Sequence, residues 1–247
     1  MAGPRGRLTG MGTAVILGAL GVVVVGWFFH HYALTHLDLA LEKIARRLGM
    51  NFRFGLPAEL KEVLGRFRAI ENVKEKGGEF QAGINSISGE RRGRKVAFFD
   101  FKWVTVSCTT RRSAWTLEDS HEHLRTHVRS AVAAQMGVAI QPVLIRPENL
   151  VDKAMALAGY DDVDFPSMPE FSKRFYVNSP DRAFARRLVT PALARFFLEN
   201  VRCTVDVVGP WLLLHDNSTM ASGEVARLLE QASRIADLIT REQTQAR

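Results

Sequence analysis

Charge is missing from one long stretch of this chain. Between Met11 and Leu34, MGTAVILGALGVVVVGWFFHHYAL, there is no Asp, Glu, Lys or Arg in 24 residues. As a helix this run would rise about 36 Å at about 1.5 Å per residue, enough for a hydrocarbon core of about 30 Å. A transmembrane anchor is therefore expected at 11–35, after a short tail at 1–10. The competing reading is a cleaved signal peptide, with Arg5 and Arg7 as its charged start. Against it, the run exceeds the usual apolar region of about 7–15 residues, and residues 27–32 offer no small-residue cleavage site. Trp27 and Tyr32 suit the aromatic belt of a membrane interface instead.

Cysteine is scarce too. Cys108 and Cys203 are the whole complement, so no disulfide framework is indicated and a reducing compartment suffices, although one bridge between them stays open. Lys43, Arg46, Arg47 and Arg53 follow the span, against Arg5, Arg7 and the terminal amine before it. That small excess puts the C-terminal domain on the cytoplasmic side of the inner cell membrane. Net charge is +7; for a tethered domain the simplest partner is anionic lipid, and no nucleic-acid-binding module is visible.

The motifs of common chemistries are missing as well. There is no G-x-S-x-G elbow, P-loop or dinucleotide glycine pattern, and neither HExxH nor CxxC. His121, His123 and His127 are spaced to share a face, and zinc accepts Cys and His. Neighbouring arginines oppose a cation there, so a polar loop is the better reading, with no metal or cofactor expected. Cys108 lies near Arg111 and Arg112, which would favour a thiolate, but a lone cysteine in a strand usually fills core. The balance leans away from an enzyme.

What is present reads as an α+β domain. LDLALEKIARRLGM carries a helical stripe at Leu37, Leu41, Ile44 and Leu48, continuing or closely following the anchor and stopping at Gly49. A helix near Pro57 follows, with Leu60, Val63, Leu64 and Phe67 on one side. FQAGINSISGE and KVAFFDFKWVTVSC form a predicted antiparallel hairpin about Arg91-Arg92-Gly93-Arg94. SAWTLEDSHEH is expected to be a polar connection, THVRSAVAAQM a strand, QPVLIRPE another, and NLVDKAMALAG a helix from Asn149 to Gly159. RFYVN is a strand. SPDRAFARRLVTPALARFFLEN is a helix capped by Ser179 and kinked or divided at Pro191. CTVDVVG and PWLLLHD suggest a hairpin about Gly209-Pro210. A last helix, capped by Ser222, buries Val225, Leu228, Leu229, Ala232, Ile235 and Leu238. The expected architecture is a transmembrane helix and one mixed domain with a mainly antiparallel sheet and packed helices. Its parts are a juxtamembrane helix and connection at 36–56 and the α+β domain at 57–247.

ARRLGMNF, SGERRGRKVAFFDFKW, LIRPENL, DVDFPSMPEFSKRFYV and TPALARFFLEN follow one another in this order. Together they resemble a family of uncharacterised bacterial single-pass membrane proteins with an N-terminal anchor. The resemblance covers most of residues 45–200 and is weaker around CTTRRSAWTLEDSHEH. It implies a fold and an anchor and carries no catalytic residue.

Two stretches stand out as candidate sites. In DVDFPSMPEFSKRFYV, Asp161, Asp162 and Asp164 lack calcium-loop spacing, and Pro166 and Pro169 impose extended backbone on the residues before them. Phe165, Phe171 and Phe175 are read as core plugs, with Lys173 and Arg174 outward, so the segment is punctuation before a strand. The hairpin tip concentrates Arg91, Arg92, Arg94 and Lys95 within five positions, too close to pair with one another. Most of them are expected to face solvent and to meet an anionic leaflet or an acidic partner. The functional expectation is a membrane-tethered binding or scaffold module engaging another protein. An anionic-lipid-sensing domain and an unrecognised membrane-anchored enzyme are the alternatives. Ala14 and Gly18, a small-xxx-small pair, add self-association of the anchor.

Overall fold

The computed structural model describes residues 39–68, 70, 79–113, 116–148, 163–216 and 219–245. The expected anchor at 11–35 and the expected helix at 149–159 lie outside these residues, as do Asp161 and Asp162. No helix among the described residues is long and apolar enough to cross a membrane. The chain divides into two compact units, Met1–Lys43 and Ile44–Arg247. The described part of the first, 39–43, is helical, and the second carries the architecture below.

Helical residues reach 48 and stop at Gly49, whose φ of 64° is left-handed. There Gly49 N–H bonds the Arg46 carbonyl and Met50 N–H the Ala45 carbonyl, which satisfies the terminal acceptors. Strand β1 (Asn51–Phe54) and helix α1 (Ala58–Leu64) follow. Three long strands come next: β2 (Glu79–Arg91), β3 (Arg94–Ser113) and β4 (Thr116–Pro147). Helix α2 (Pro169–Arg174) runs directly into β5 (Phe175–Asn178). Then come α3 (Arg182–Leu188), α4 (Pro191–Asn200), β6 (Thr204–His215) and α5 (Val225–Gln245). The six strands form one antiparallel sheet in the order β1-β2-β3-β4-β5, with β6 on the other edge of β4. The α+β class and the antiparallel sheet are thus as the sequence indicates.

Alternation along the strands sends side chains to opposite faces. One face carries Ala97, Phe99, Phe101, Trp103, Ala133, Trp211 and Leu213 against Leu60, Leu64, Phe67 and Ile70 of the α1 segment. The other buries Val96, Phe98, Val132, Ala134, Leu212 and Leu214 beneath α5. Helix α5 buries Val225, Leu228, Leu229, Ala232 and Ile235 as expected, but the stripe ends on Ala236 and Ile239, with Leu238 half-buried.

Four expectations need correction. SAWTLEDSHEH is no connecting loop: β4 starts at Thr116 and takes in the expected strands at THVRSAVAAQM and QPVLIRPE as well. Beyond Val104, β3 pairs only with β4 among the described residues, as a two-stranded extension of the sheet. Gly209-Pro210 makes no hairpin either. Gly209, at φ 58°, carries β6 past an irregularity in its pairing with β4, where the extra residues lie on β4 between Gln135 and Val143, and Pro210 is tolerated on a strand that has no partner on its outer edge among the described residues. Asp181 rather than Ser179 caps α3, its Oδ1 accepting from Phe184 N at 2.9 Å. Ser179 Oγ instead donates to the Pro142 carbonyl and ties the loop to β4. Ser222 begins a single 3-10 turn before α5, without a side-chain cap. Pro191 does divide the expected long helix. Thr190 Oγ1 accepts from Leu193 N to start α4.

Candidate functional site

The basic tip is a two-residue turn closed by the pair Arg91 and Arg94. Arg92 and Gly93 both have positive φ, 53° and 69°, the mirror-image turn that matches strand twist. Glycine accepts this freely, whereas an arginine there is held against a local cost of order 1 kcal/mol or more. Its side chain shows what holds it. Arg92 Nε donates to Glu230 Oε1 at 2.7 Å, and its guanidinium lies 3.7 Å from Asp237 Oδ2. Those carboxylates raise the Arg92 pKa, the Glu230 hydrogen bond most of all.

The other three cations are also engaged inside the molecule. Arg94 Nε donates to Asp237 Oδ1 at 2.6 Å, with both side chains largely covered. Lys95 Nζ donates to both carboxylate oxygens of Glu59, at 2.7 and 2.9 Å. Arg91 donates to the Leu48 carbonyl at 3.3 Å. The solvent-facing half of the tip is therefore Arg92 and Lys95, 44% and 51% exposed in their side chains. Acids of α1 and α5 supply the partners, 36 to 143 residues away in sequence.

Lys95 and Glu59 also wall a cleft of about 380 Å³ between the start of α1 and the sheet. Arg53 and Asn51 of β1 and Glu90 of β2 add polar groups, and Ala97 with Trp211 forms an apolar floor. Beside it Gly89 is required by space: a Cβ there would come within 2.9 Å of Met50 Cγ. A cleft of mixed charge over an apolar floor suits the docking of a polar group or peptide side chain.

The histidines and cysteines do not converge into a metal centre among the described residues. Backbone pairing sets His121 opposite Thr109, His123 opposite Ser107 and Cys108 opposite Glu122, all outward along β3 and β4 from the sheet's centre. His127 stacks on Trp103 with ring centroids 4.9 Å apart, and its Nε2 lies 3.0 Å from Thr105 Oγ1. Arg129 covers Trp103 at 4.6 Å from the ring centroid. Cys203 is a free thiol whose pKa burial pushes up to about 11, the opposite of an activated nucleophile.

The sequence did not single out two buried titratable groups. Asp100 accepts from Ser130 Oγ at 2.5 Å, yet burial outweighs that bond and raises its pKa. His215, 6% exposed, has no hydrogen-bond partner on either ring nitrogen among the described residues. Burial, reinforced by Arg129, lowers its pKa to about 4. Neither residue sits in a recognisable motif, and burial is their only signal.

In DVDFPSMPEFSKRFYV the three phenylalanines are buried as expected, with Lys173 and Arg174 exposed. Phe171 is the hub: it stacks on Phe175 at 5.1 Å and meets Phe165 and Phe197 edge-on at 5.5 and 6.1 Å.

Fold and sites together define an α+β protein with a mixed-charge cleft beside an ion-paired hairpin tip. No protein-family model and no curated protein matches the chain. Among solved structures it is similar to the crystal structure of the mycobacterial trehalose monomycolate transport factor A, TtfA, with a TM-score of 0.52. The likeness covers 82% of this chain and 94% of that one at 16% identity, so it is a shared fold.

Proposed function

We propose that the chain is a membrane-tethered binding module that engages another protein in the handling of membrane lipid. The observation carrying this reading is the likeness of fold, over 82% of this chain and 94% of the other, to a protein named as a trehalose monomycolate transport factor. The uncharged run at 11–34 supports the tether, and the basic excess after it favours a cytoplasmic domain on the inner membrane. The engaging surface is the tip with its adjoining cleft, where Arg92 and Lys95 present charge beside an apolar floor.

Contact with the anionic leaflet is the second reading, favoured by the exposure of the same two cations at roughly 1 kcal/mol per basic group near such a surface. Two measurements test these statements. Alkaline carbonate should leave the protein in the membrane pellet, and release into the supernatant would refute the tether. A photoreactive residue replacing Arg92 should crosslink a protein partner in native membranes. Adducts with lipid alone would overturn the partner reading and favour the leaflet.

A further inference from the structure

We propose that two joined clefts, one cationic and one apolar, form a binding site for a single-chain amphiphile with an anionic head. The site shares no lining residue with the tip or its cleft, so it stands apart from the reading above. The apolar cleft, of about 290 Å³, lies between α2 and α4. Phe171 is its floor, and Pro191, Ala194 and Leu198 of α4 form a stripe at i, i+3 and i+7. Along the helix axis that stripe offers about 10 Å of hydrocarbon contact.

The second cleft, of about 270 Å³, shares Met168 and Pro191 with the first. It is lined by Arg186 and Arg187 from the last turn of α3 and by Ser167 and Thr190. Both arginines are exposed, and neither is ion-paired among the described residues. This distinguishes them from the tip, where Arg92, Arg94 and Lys95 are matched by acids. Asp164 also lines the cleft, leaving it one net positive charge, while Glu170 and Arg195 offset each other on the apolar one. Cation and hydrocarbon surfaces thus meet at Met168, whose flexible thioether adapts to an incoming chain.

Charge complementarity selects an anionic head, since a guanidinium binds phosphate or carboxylate through paired N–H donors. Shape selects one lipid molecule: the groove is the width of a gap between two helices and accepts a chain, not a bilayer face. The occupant is therefore a monoacyl lipid with a phosphate or carboxylate head.

The test mixes the full chain with phosphatidylcholine vesicles carrying oleoyl lysophosphatidic acid with a photoreactive group in its acyl chain. After illumination, adducts are mapped by mass spectrometry. Parallel arms use photoreactive monoacylglycerol, which lacks the anion, and photoreactive two-chain phosphatidic acid, which reports contact with an anionic bilayer. Adducts of the lysophosphatidic acid are expected on peptides covering 163–200. Their yield should fall roughly tenfold for each arginine lost in R186E/R187E. The control K173E/R174E reverses two exposed charges on α2 that line neither cleft, and should leave the yield unchanged. Equal yield in R186E/R187E, equal labelling by the monoacylglycerol, or the same labelling by the two-chain lipid overturns the site. Circular dichroism confirms that both charge-reversed chains are folded.

Discussion

Asp237→Asn tests whether the tip is held from within. The substitution keeps size and hydrogen-bonding capacity but removes the charge facing Arg94. In the native fold Arg94 Nε lies 2.6 Å from Asp237 Oδ1, with the side chains 14% and 19% exposed. Exposed pairs contribute about 0–1 kcal/mol, whereas breaking fully buried ones costs about 3–5 kcal/mol. This pair lies between, and a hydrogen bond between charged groups contributes about 1.5–3 kcal/mol. The Gln135 carbonyl, 3.4 Å from Arg94 Nη1, recovers little of that. A loss of about 2 kcal/mol is expected, which for a protein of this size lowers Tm by about 4–8 °C. Urea unfolding of the full chain in detergent, read by far-UV circular dichroism, measures it. A double-mutant cycle with Arg94→Met isolates the pair from other effects of either change. Glu230→Gln should cost less, because Glu230 and its partner Arg92 are both open to water. Salt near 1 M, where the Debye length is about 3 Å, should weaken the Arg92 contact much more than the Arg94 coupling. A coupling energy below about 0.3 kcal/mol, within ordinary additivity, would refute the reasoning.

Other outcomes follow from the same packing. Phe171→Ala empties the hub of four aromatic rings and should cost about 3–5 kcal/mol; a loss under about 1 kcal/mol in urea unfolding would contradict the hub. His215 has its pKa lowered to about 4 in the fold, against an ordinary value of 6.5. Below 6.5 the unfolded chain takes the proton and the native ring does not, so stability present at neutral pH is lost as pH falls towards 4. The contribution has a slope of up to about 1.4 kcal/mol per pH unit. His215→Leu should remove that slope, and an unchanged pH profile between 6.5 and 4 would exclude the assignment. Gly209→Ala meets no atom within 4 Å, so its cost is purely the φ of 58°, about 1–2 kcal/mol. A neutral result in the same unfolding assay would show that the β6 backbone relaxes at this position.

The hairpin tip was legible because its signals are local: two β-rich runs flank Gly93, and the intervening residues are too polar for strand core. Pro191 was legible for the same reason, since a ring without an N–H kinks or divides a helix whose interior it would occupy and suits the first turn of the next. The first half of β4 was not. Its only partner among the described residues is β3, so a hydrogen-bond ladder rather than an apolar stripe sets its conformation, and periodicity has nothing to report. Gly209-Pro210 misled because a left-handed glycine before proline reads as a turn, and only the pairing of β6 along β4 on both sides of it shows a continuous strand. The expectation that most of the tip cations face water failed in part because charge counting sees only neighbours in sequence. Glu59, Glu230 and Asp237 reach the tip through the fold.

The segment that reads as punctuation illustrates how structure and candidate function come from one cause. Pro169 and Pro191 each sit in the first turn of a helix, where the missing N–H costs nothing, and each prevents the helix from extending backwards. Pro191 therefore divides the helical stretch 182–200 into α3 and α4, and Pro169 fixes where α2 begins. Phe171, locked by three neighbouring rings, keeps the cleft between α2 and α4 from collapsing. Helix α3 carries Arg186 and Arg187 in its last turn, and both line the opening beside the break. A phenylalanine floor, a proline at the start of each flanking helix and two cations without ion pairs among the described residues thus meet in one place. Replacing Pro191 with Ala should favour a continuous helix across 182–200, and with it narrow both clefts at once.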